Sequence, residues 1–426
     1  MALWDLMTTR RYAPAAKVVP EGQSIRSKFP LVPANQRPGL DYEFPLIISK
    51  SQGITRQGAQ FGGVTLNTPI APQTVMAIVT IPNMYNSERI DNATVMRAMA
   101  GVNESGQAAA YYDPIDFHVD ECISGHENQL DIDYFHGAGT GAAVADDIGV
   151  VGSATGTNLG TAGYKVRFTA ATWSEGIWNT LTNALVDIYA TNGSTPVETD
   201  VVCQGVVDET KNEVAFFKNG SSATVAATNR FVLKGSLGGS IYGVGALLRN
   251  ATSLFNVNAG AVNFWKARSF DAGAAPFTSA KLLQATARLQ SMGAEEGLSG
   301  WVHPLTFQDI VNERDGLLKY NDTIKNLEIG TESIRYATAA GPVELQRSIF
   351  QKQGQAYFCS NSDTVSVGST EPKLVGADGM GEVVQRVAGT TFHEVQTMSS
   401  CGPLLRKPAR NLLVYNIAST GQTTHT

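Results

Sequence analysis

The stretch YEFPLIISKSQGITRQGAQFGGVTLNTPIAPQTVMAIVTI, residues 42–81, decides how the rest of the chain is read. Its two ends, YEFPLIIS (42–49) and TVMAIVTI (74–81), are rich in β-branched residues and stop at Lys50 and Pro82. Between them Gly53, Gly58, Gly62 and Gly63 are interleaved with Gln, Thr and Arg56. This connection is too long for a tight turn and carries no core residues, so the pattern predicts two strands joined by a protruding polar tip. Such a tip reads as an extension that reaches a neighbouring molecule.

Working outward, residues 1–40 hold Arg10, Arg11, Lys17, Arg26, Lys28 and Arg37 against Asp5 and Glu21, and are broken by Pro14, Pro20, Pro30 and Pro33. No helical or alternating period is sustained there. The segment reads as an extended arm that gains order only by lying on another surface, because alone it buries too little to offset its conformational entropy. Downstream, residues 87–100 have helical spacing with Ser87 as a candidate N-cap. A second helix is predicted over 114–135, opened by Pro114, with Ile115, Val119, Cys122, Ile123, Leu130 and Tyr134 on one stripe. From Ala98 to Tyr164 there are ten acids and no Lys or Arg. This reads as a solvated acidic face, or as one that receives the basic arm of a second copy.

Residues 166–244 are dense in strands: LVDIYA (185–190), DVVCQGVV (200–207), EVAFF (213–217) and RFVLKG (230–235), separated by turn signals at Asn192-Gly193, Asp208-Glu209 and Asn219-Gly220. That spacing predicts a small antiparallel sheet or barrel. After a loop at about 256–276 comes an amphipathic helix over 279–292 stopped by Gly293. GWVHPLTFQDIVN (300–312) reads as strand, bend and helix. Strands follow at 333–338, 342–350 and 356–360, and two more lie in the tail between 390 and 418.

The composition narrows the function classes. The chain has 426 residues, 43% of them apolar, which excludes disorder over most of its length, and a net charge of −6, which excludes a globally basic nucleic-acid binder. Only 16% of residues are charged, against roughly 25% in ordinary soluble domains, so part of the surface is expected to be covered. No apolar run approaches the roughly 18–20 residues of a membrane helix, and the N-terminus does not read as a secretory signal. Cys122, Cys203, Cys359 and Cys401 form no CxxC pair and read as buried reduced thiols.

Chemical motifs are lacking. HENQL at His126 places Leu130 where a zinc-protease helix needs its second histidine. His118, His126 and His136 share a helix face only in part and read as solvated helix residues rather than metal ligands. His303, before Pro304, reads as a structural histidine. No GxSxG elbow or phosphate loop occurs, and GAGTGA at Gly137 and GSLGGS at Gly235 read as a joint and a turn. No catalytic, metal or cofactor residue is assigned, and the chain is read as a non-enzyme.

The order of these segments resembles that of the major capsid proteins of tailed bacteriophages, the Hong Kong 97-like fold. Local stretches carry the likeness further: LVDIYA, DVVCQGVVDETKNEVAFF (200–217) and ATNRFVLKGSLGGSIYGVGALL (227–248) are similar to the inserted β segment of some members. AVNFWKARSFDAG (261–273) and GWVHPLTFQDIVNER (300–314) look like the run into the axial domain, and LEIGTESIRYATAAGPVELQRSIFQKQGQAYF (327–358) resembles its closing strands. The resemblance implies an α+β shell subunit. Its parts would be an N-terminal arm (1–40), an extended loop (41–84), a peripheral domain with the spine helix (85–180), an inserted β-rich segment (181–250), an axial domain (251–372) and a C-terminal return to the peripheral domain (373–426).

It also implies hexamers and pentamers of the chain enclosing double-stranded DNA in a virion assembled in the host cytoplasm. A separate scaffolding protein and a portal are expected, with a decoration protein as a further partner, no cofactor and no membrane. Candidate inter-subunit contacts are Arg10, Arg11, Lys17, Lys50, Arg56, Phe61, Asp116, Asp120 and Glu127. Some family members crosslink a loop lysine, and Lys50 is the one lysine in this loop. The rival readings are an encapsulin-like compartment shell, a phage tail or surface binding protein, and an enzyme assembled from scattered residues.

Overall fold

The computed structural model describes residues 25–33, 41–56, 65–92, 114–137, 139, 149–158, 163–190, 193–218, 225–249, 253–318, 333–376, 384–387 and 389–420. The hairpin forms as its sequence predicts. Strands β1 (Asp41–Ile47) and β2 (Thr74–Thr80) pair antiparallel along their whole length, from Asp41 opposite Thr80 to Ile47 opposite Thr74. Alternation divides the two faces. Ala77 and Val79 are buried with Tyr42, Phe44, Leu46 and Val75 packed beside them, and the Phe44 ring lies 6.1 Å from Trp265.

Just beyond the hairpin the chain departs from the expected helix over 87–100. Residues Met84–Asp91 form strand β3, which pairs antiparallel with β19 (Phe392–Leu405), from Met84 opposite Ser399 to Asp91 opposite Phe392. Residues 93–100 lie outside the described residues. MYNSERID alternates in burial as a strand does, and the open edge of β19 satisfies its backbone groups, so a distant partner overrides local helix spacing. On its other side β19 pairs with β17 (Thr364–Leu374) and β18 (Val384–Arg386). Against this sheet lies helix α1 (Pro114–His136), the predicted spine. Its three histidines are buried rather than solvated: the helix is covered on one side by β3 and β19 and toward its end by the body of the protein.

The β-rich region is a closed six-stranded barrel. Strands β4 (Gly149–Asn158), β5 (Gly163–Phe168), β6 (Leu185–Tyr189), β7 (Pro196–Asp208), β8 (Glu213–Phe217) and β9 (Arg230–Leu233) close in the order β4-β5-β8-β7-β6-β9, all antiparallel. Closure removes every free edge. The barrel takes its first strand from Gly149, upstream of the strand-dense region legible in the sequence, because GVVGSATGTN has the composition of a loop. Short helix α2 (Glu175–Thr180) sends Trp178 into the barrel core, stacked 4.5 Å from Phe168, with Phe216 and Phe231 completing the aromatic cluster.

After the barrel come α3 (Val244–Arg249) and a two-strand turn of β10 (Ser253–Leu254) and β11 (Val257–Asn258). A six-stranded sheet follows: β12 (Arg268–Ala275), β13 (Leu298–Val302), β14 (Ser333–Thr338), β15 (Gly341–Arg347), β16 (Gln355–Ser360) and β20 (Leu412–Ile417), in the order β12-β20-β16-β13-β15-β14. The stretch expected as a loop at 256–276 thus contains β11 and β12. Strand β12 exists because it pairs in parallel with β20, which arrives only at the end of the chain. Helix α4 (Ser279–Gln290) starts on a Thr278 cap, whose Oγ1 accepts from Lys281 N, and buries Leu282, Ala285 and Leu289. Gly293, at φ +80°, takes the left-handed conformation that ends the turn after it. Helix α5 (Pro304–Leu318) begins at a proline, and His303 Nδ1 accepts from Leu305 N at 3.2 Å, the structural role expected of this histidine. All four cysteines are free and buried.

Candidate assembly site

Residues 25–33 show what the inner end of the arm lies on: the chain's own body. Ile25–Lys28 form a short 3₁₀ helix, and Ile25, Phe29 and Val32 are buried. Arg26 Nε donates to Asp131 Oδ1 at 2.9 Å, and its Nη2 stands 3.6 Å from Glu127 Oε1. Lys28 Nζ donates to Glu344 Oε2 on β15 at 3.1 Å, which holds that carboxyl below its usual range. The Phe29 ring stacks on Trp301 of β13 at 6.0 Å and meets Tyr134 of α1 edge-on at 6.1 Å. Ser366 N then donates to Pro30 O and Val32 N to Ser366 O, both at 2.9 Å, a short parallel pairing with β17. The segment clips helix α1 to the six-stranded sheet and to β17.

The acidic spine therefore does receive a basic element of the arm, within one chain. Glu127 and Asp131 lie one helical turn apart and present one face to Arg26. Of the predicted contacts, Glu127 is the one placed against a basic group. Asp120 is exposed on the spine. Asp116 is in the first turn of α1 with its side chain outside the described residues, as are Arg10, Arg11, Lys17 and Phe61 altogether. Among the described residues no ion pair joins Lys50 or Arg56 to the spine; both are exposed on the hairpin tip.

That tip is ordered by a few local bonds. Gln52 and Ile70 exchange backbone hydrogen bonds at 2.9 and 2.7 Å, and Asn67 Nδ2 donates to Ile54 O at 2.9 Å. Among the described residues its apolar side chains are uncovered: Ile54 is 74% exposed, Leu66 78% and Ile70 60%, with Ile47 and Met76 exposed on the outer face behind. Contiguous exposed apolar groups of this size mark an interaction surface. The sequence reads this tip as polar, and the structure adds three large exposed apolar side chains to it.

Two features were not legible in the sequence. The first is the interior of α1. His126 is buried between the hydroxyls of Ser399 (2.7 Å from Nε2) and Thr397 (2.9 Å from Nδ1), and desolvation, with Arg26 nearby, lowers it to about 4. It is a neutral structural group, so the helix that reads as an acidic outer face has a polar inner one. The second is the partner of the joint read at Gly137: Gly137 N donates to Asp133 O at 2.7 Å, and Gly243 N, from beyond the barrel, donates to Gly137 O at 3.0 Å. The exit of the barrel is sewn to the end of the spine by two glycines that touch.

No family model matches the chain, and no curated protein matches it by sequence. Among solved structures it is similar to a chain of the cyanophage A-1(L) capsid asymmetric unit, 9% identical, with a TM-score of 0.53 over 97% of each chain. It is also matched by a chain of the capsid of a native GTA particle (8% identity, TM-score 0.45, 96% of each chain) and by one of the capsid of cyanophage P-SCSP1u (10%, 0.42, 97% of this chain and 94% of that one). The likeness to the cyanophage A-1(L) chain runs from end to end. The chain has the α+β Hong Kong 97-like fold that its segment order resembles.

Proposed function

We propose that this chain is the major capsid protein of a tailed bacteriophage and builds the icosahedral head around its DNA. The observation that carries the proposal is the end-to-end likeness to a cyanophage capsid chain, combined with a hairpin whose apolar tip is uncovered. A projecting hairpin cannot bury that tip by itself, and copies of the same chain offer the missing surface. Each contact is small, yet a subunit joined to many neighbours at once is held by effective concentration. A net charge of −6 limits adhesion to the packaged genome, which phosphate contacts would otherwise favour.

Within this reading the chain assembles into hexamers and pentamers in the host cytoplasm, on a separate scaffolding protein and with a portal at one vertex; a decoration protein would bind the outer surface. Its role is structural and not catalytic. Residues 1–24 and the hairpin tip, with Lys50 and Arg56, are the segments that cross to neighbours. Negative-stain microscopy of the purified protein tests this directly. Closed icosahedral particles support it; trimers or tubes would point to a tail or surface protein and overturn it. Deletion of residues 1–40 is expected to leave protein that forms no regular shells.

A further inference from the structure

Where the β2–β3 turn, the spine, the barrel exit and β19 meet, they line an open cavity of about 170 Å³. Its walls come from four distant segments: the β2–β3 turn at Asn83, α1 at Gln129 and Asp133, the barrel exit from Lys234 through Ser236 to Ser240, and β19. Buried Leu130, Ile241 and Cys401 lie at its floor, while exposed Asn83, Tyr85 and Lys234 stand at its mouth, so it opens to solvent.

Asp133 is the one carboxylate in the lining. Among the described residues no hydrogen bond or ion pair engages its side chain, and burial alone pushes its carboxyl up to about 7. The cation at the mouth is already engaged, since the Lys234 ammonium is paired with Asp200. Oxygen donors of the kind hard cations take also line it, the amide oxygens of Asn83 and Gln129 and the hydroxyl of Ser236, while Ser240 Oγ accepts from Gly139 N and donates to Ile241 O. One water needs only about 10–15 Å³ of such space, so there is ample room for an ion that keeps part of its hydration shell.

We propose that this cavity binds a hydrated divalent cation of the magnesium or calcium class, with Asp133 as its charged ligand and water and neighbouring amide and hydroxyl oxygens completing the shell. The ion neutralises a half-buried carboxylate that has no partner among the described residues. It also ties the barrel exit and the β2–β3 turn to the end of the spine. The proposal concerns the single chain and is independent of the assembly reading.

The test uses the full-length protein and its Asp133→Asn variant in MgCl2 or CaCl2, with NaCl at matched ionic strength as control. Binding is followed by calorimetry and thermal unfolding. In the wild type one saturable site is expected, with a Tm that rises as the divalent salt is added, and binding at least about tenfold weaker in Asp133→Asn. A response absent from the wild type, or equal in the variant, would overturn the proposal. Terbium(III) emission excited through Tyr85 gives a second readout should Asp133→Asn fold poorly. It is expected to be displaced by calcium and diminished in Tyr85→Phe and Ser236→Ala; emission unchanged in both variants would count against the site.

Discussion

Arg26 and Asp131 stand 105 residues apart in sequence, and the guanidinium of one donates to the carboxylate of the other at 2.9 Å. Asp131 is almost fully buried by this contact, with 5% of its side chain exposed. Removing the cation leaves a buried charge without its partner, which costs far more than losing a surface pair. Arg26→Ala is expected to destabilise the protein by about 2–4 kcal/mol, and Arg26→Ala with Asp131→Asn by clearly less. Urea unfolding of the single and double variants measures the difference.

Phe29 fills the space between helix α1 and the six-stranded sheet and is 2% exposed. Phe29→Ala leaves a cavity bounded by Tyr134 and Trp301, with an expected cost of about 3–5 kcal/mol, and Phe29→Leu recovers most of it. Limited proteolysis should cut the Ala variant near residues 25–33 well before global unfolding.

His126 and His303 are both lowered to about 4 by burial, against 6.5 for an ordinary histidine. Their contribution to stability is complete above pH 6.5 and is lost as pH falls from 6.5 through about 4, because the unfolded chain takes up protons that the folded chain refuses. Urea midpoints measured from pH 7 to pH 4 should fall over this window. In His126→Gln, which keeps a hydrogen-bonding side chain without the titration, the fall should be shallower.

Ile54, Leu66 and Ile70 touch little of their own chain. Replacing all three by Ser should leave the unfolding midpoint of the monomer nearly unchanged, within about 0.5 kcal/mol per site, while abolishing particle formation. Light scattering and microscopy read assembly, and differential scanning fluorimetry reads stability. A loss of stability equal to the loss of assembly would place these residues in the core of the subunit instead.

At Gly243 an added Cβ would lie 2.5 Å from Gly137 N and 2.6 Å from Asp133 O, both backbone atoms that cannot swing aside. Gly243→Ala is therefore expected to destabilise by about 1–3 kcal/mol through a forced backbone shift. Gly235, where a Cβ would meet nothing, has a φ of +74°, so Gly235→Ala should act through backbone strain alone and cost less.

Much of the architecture is legible in single stretches. The hairpin strands, the spine from Pro114, the capped helix after Thr278 and the strand–proline–helix run at 298–318 all follow from local spacing and punctuation. The failures share one cause. MYNSERID at 84–91, RSFDAGAA at 268–275 and GVVGSATGTN at 149–158 carry weak or mixed local signals and become strands only because β19, β20 and the barrel wall present open edges to them.

The assembly elements divide in the same way. A long connection between two strong strands announces the projecting hairpin, and ten acids without a basic residue announce an unusual helix surface. Which arm residue meets that surface cannot be read from the arm, since Arg26 looks like its neighbours until the fold sets it against Glu127 and Asp131, which lie one helical turn apart.

Taken alone, then, the amino-acid order determined most of the strongly patterned elements and their succession, because those depend on hydrophobic period and on turn and cap residues close in sequence. Only the tertiary structure decided which strands close the barrel, where the inner arm docks, which histidines of the spine are buried and that Asp133 faces a cavity. Those outcomes depend on burial and pairing between residues hundreds of positions apart, and no local pattern encodes the dielectric or the partner that a side chain will meet.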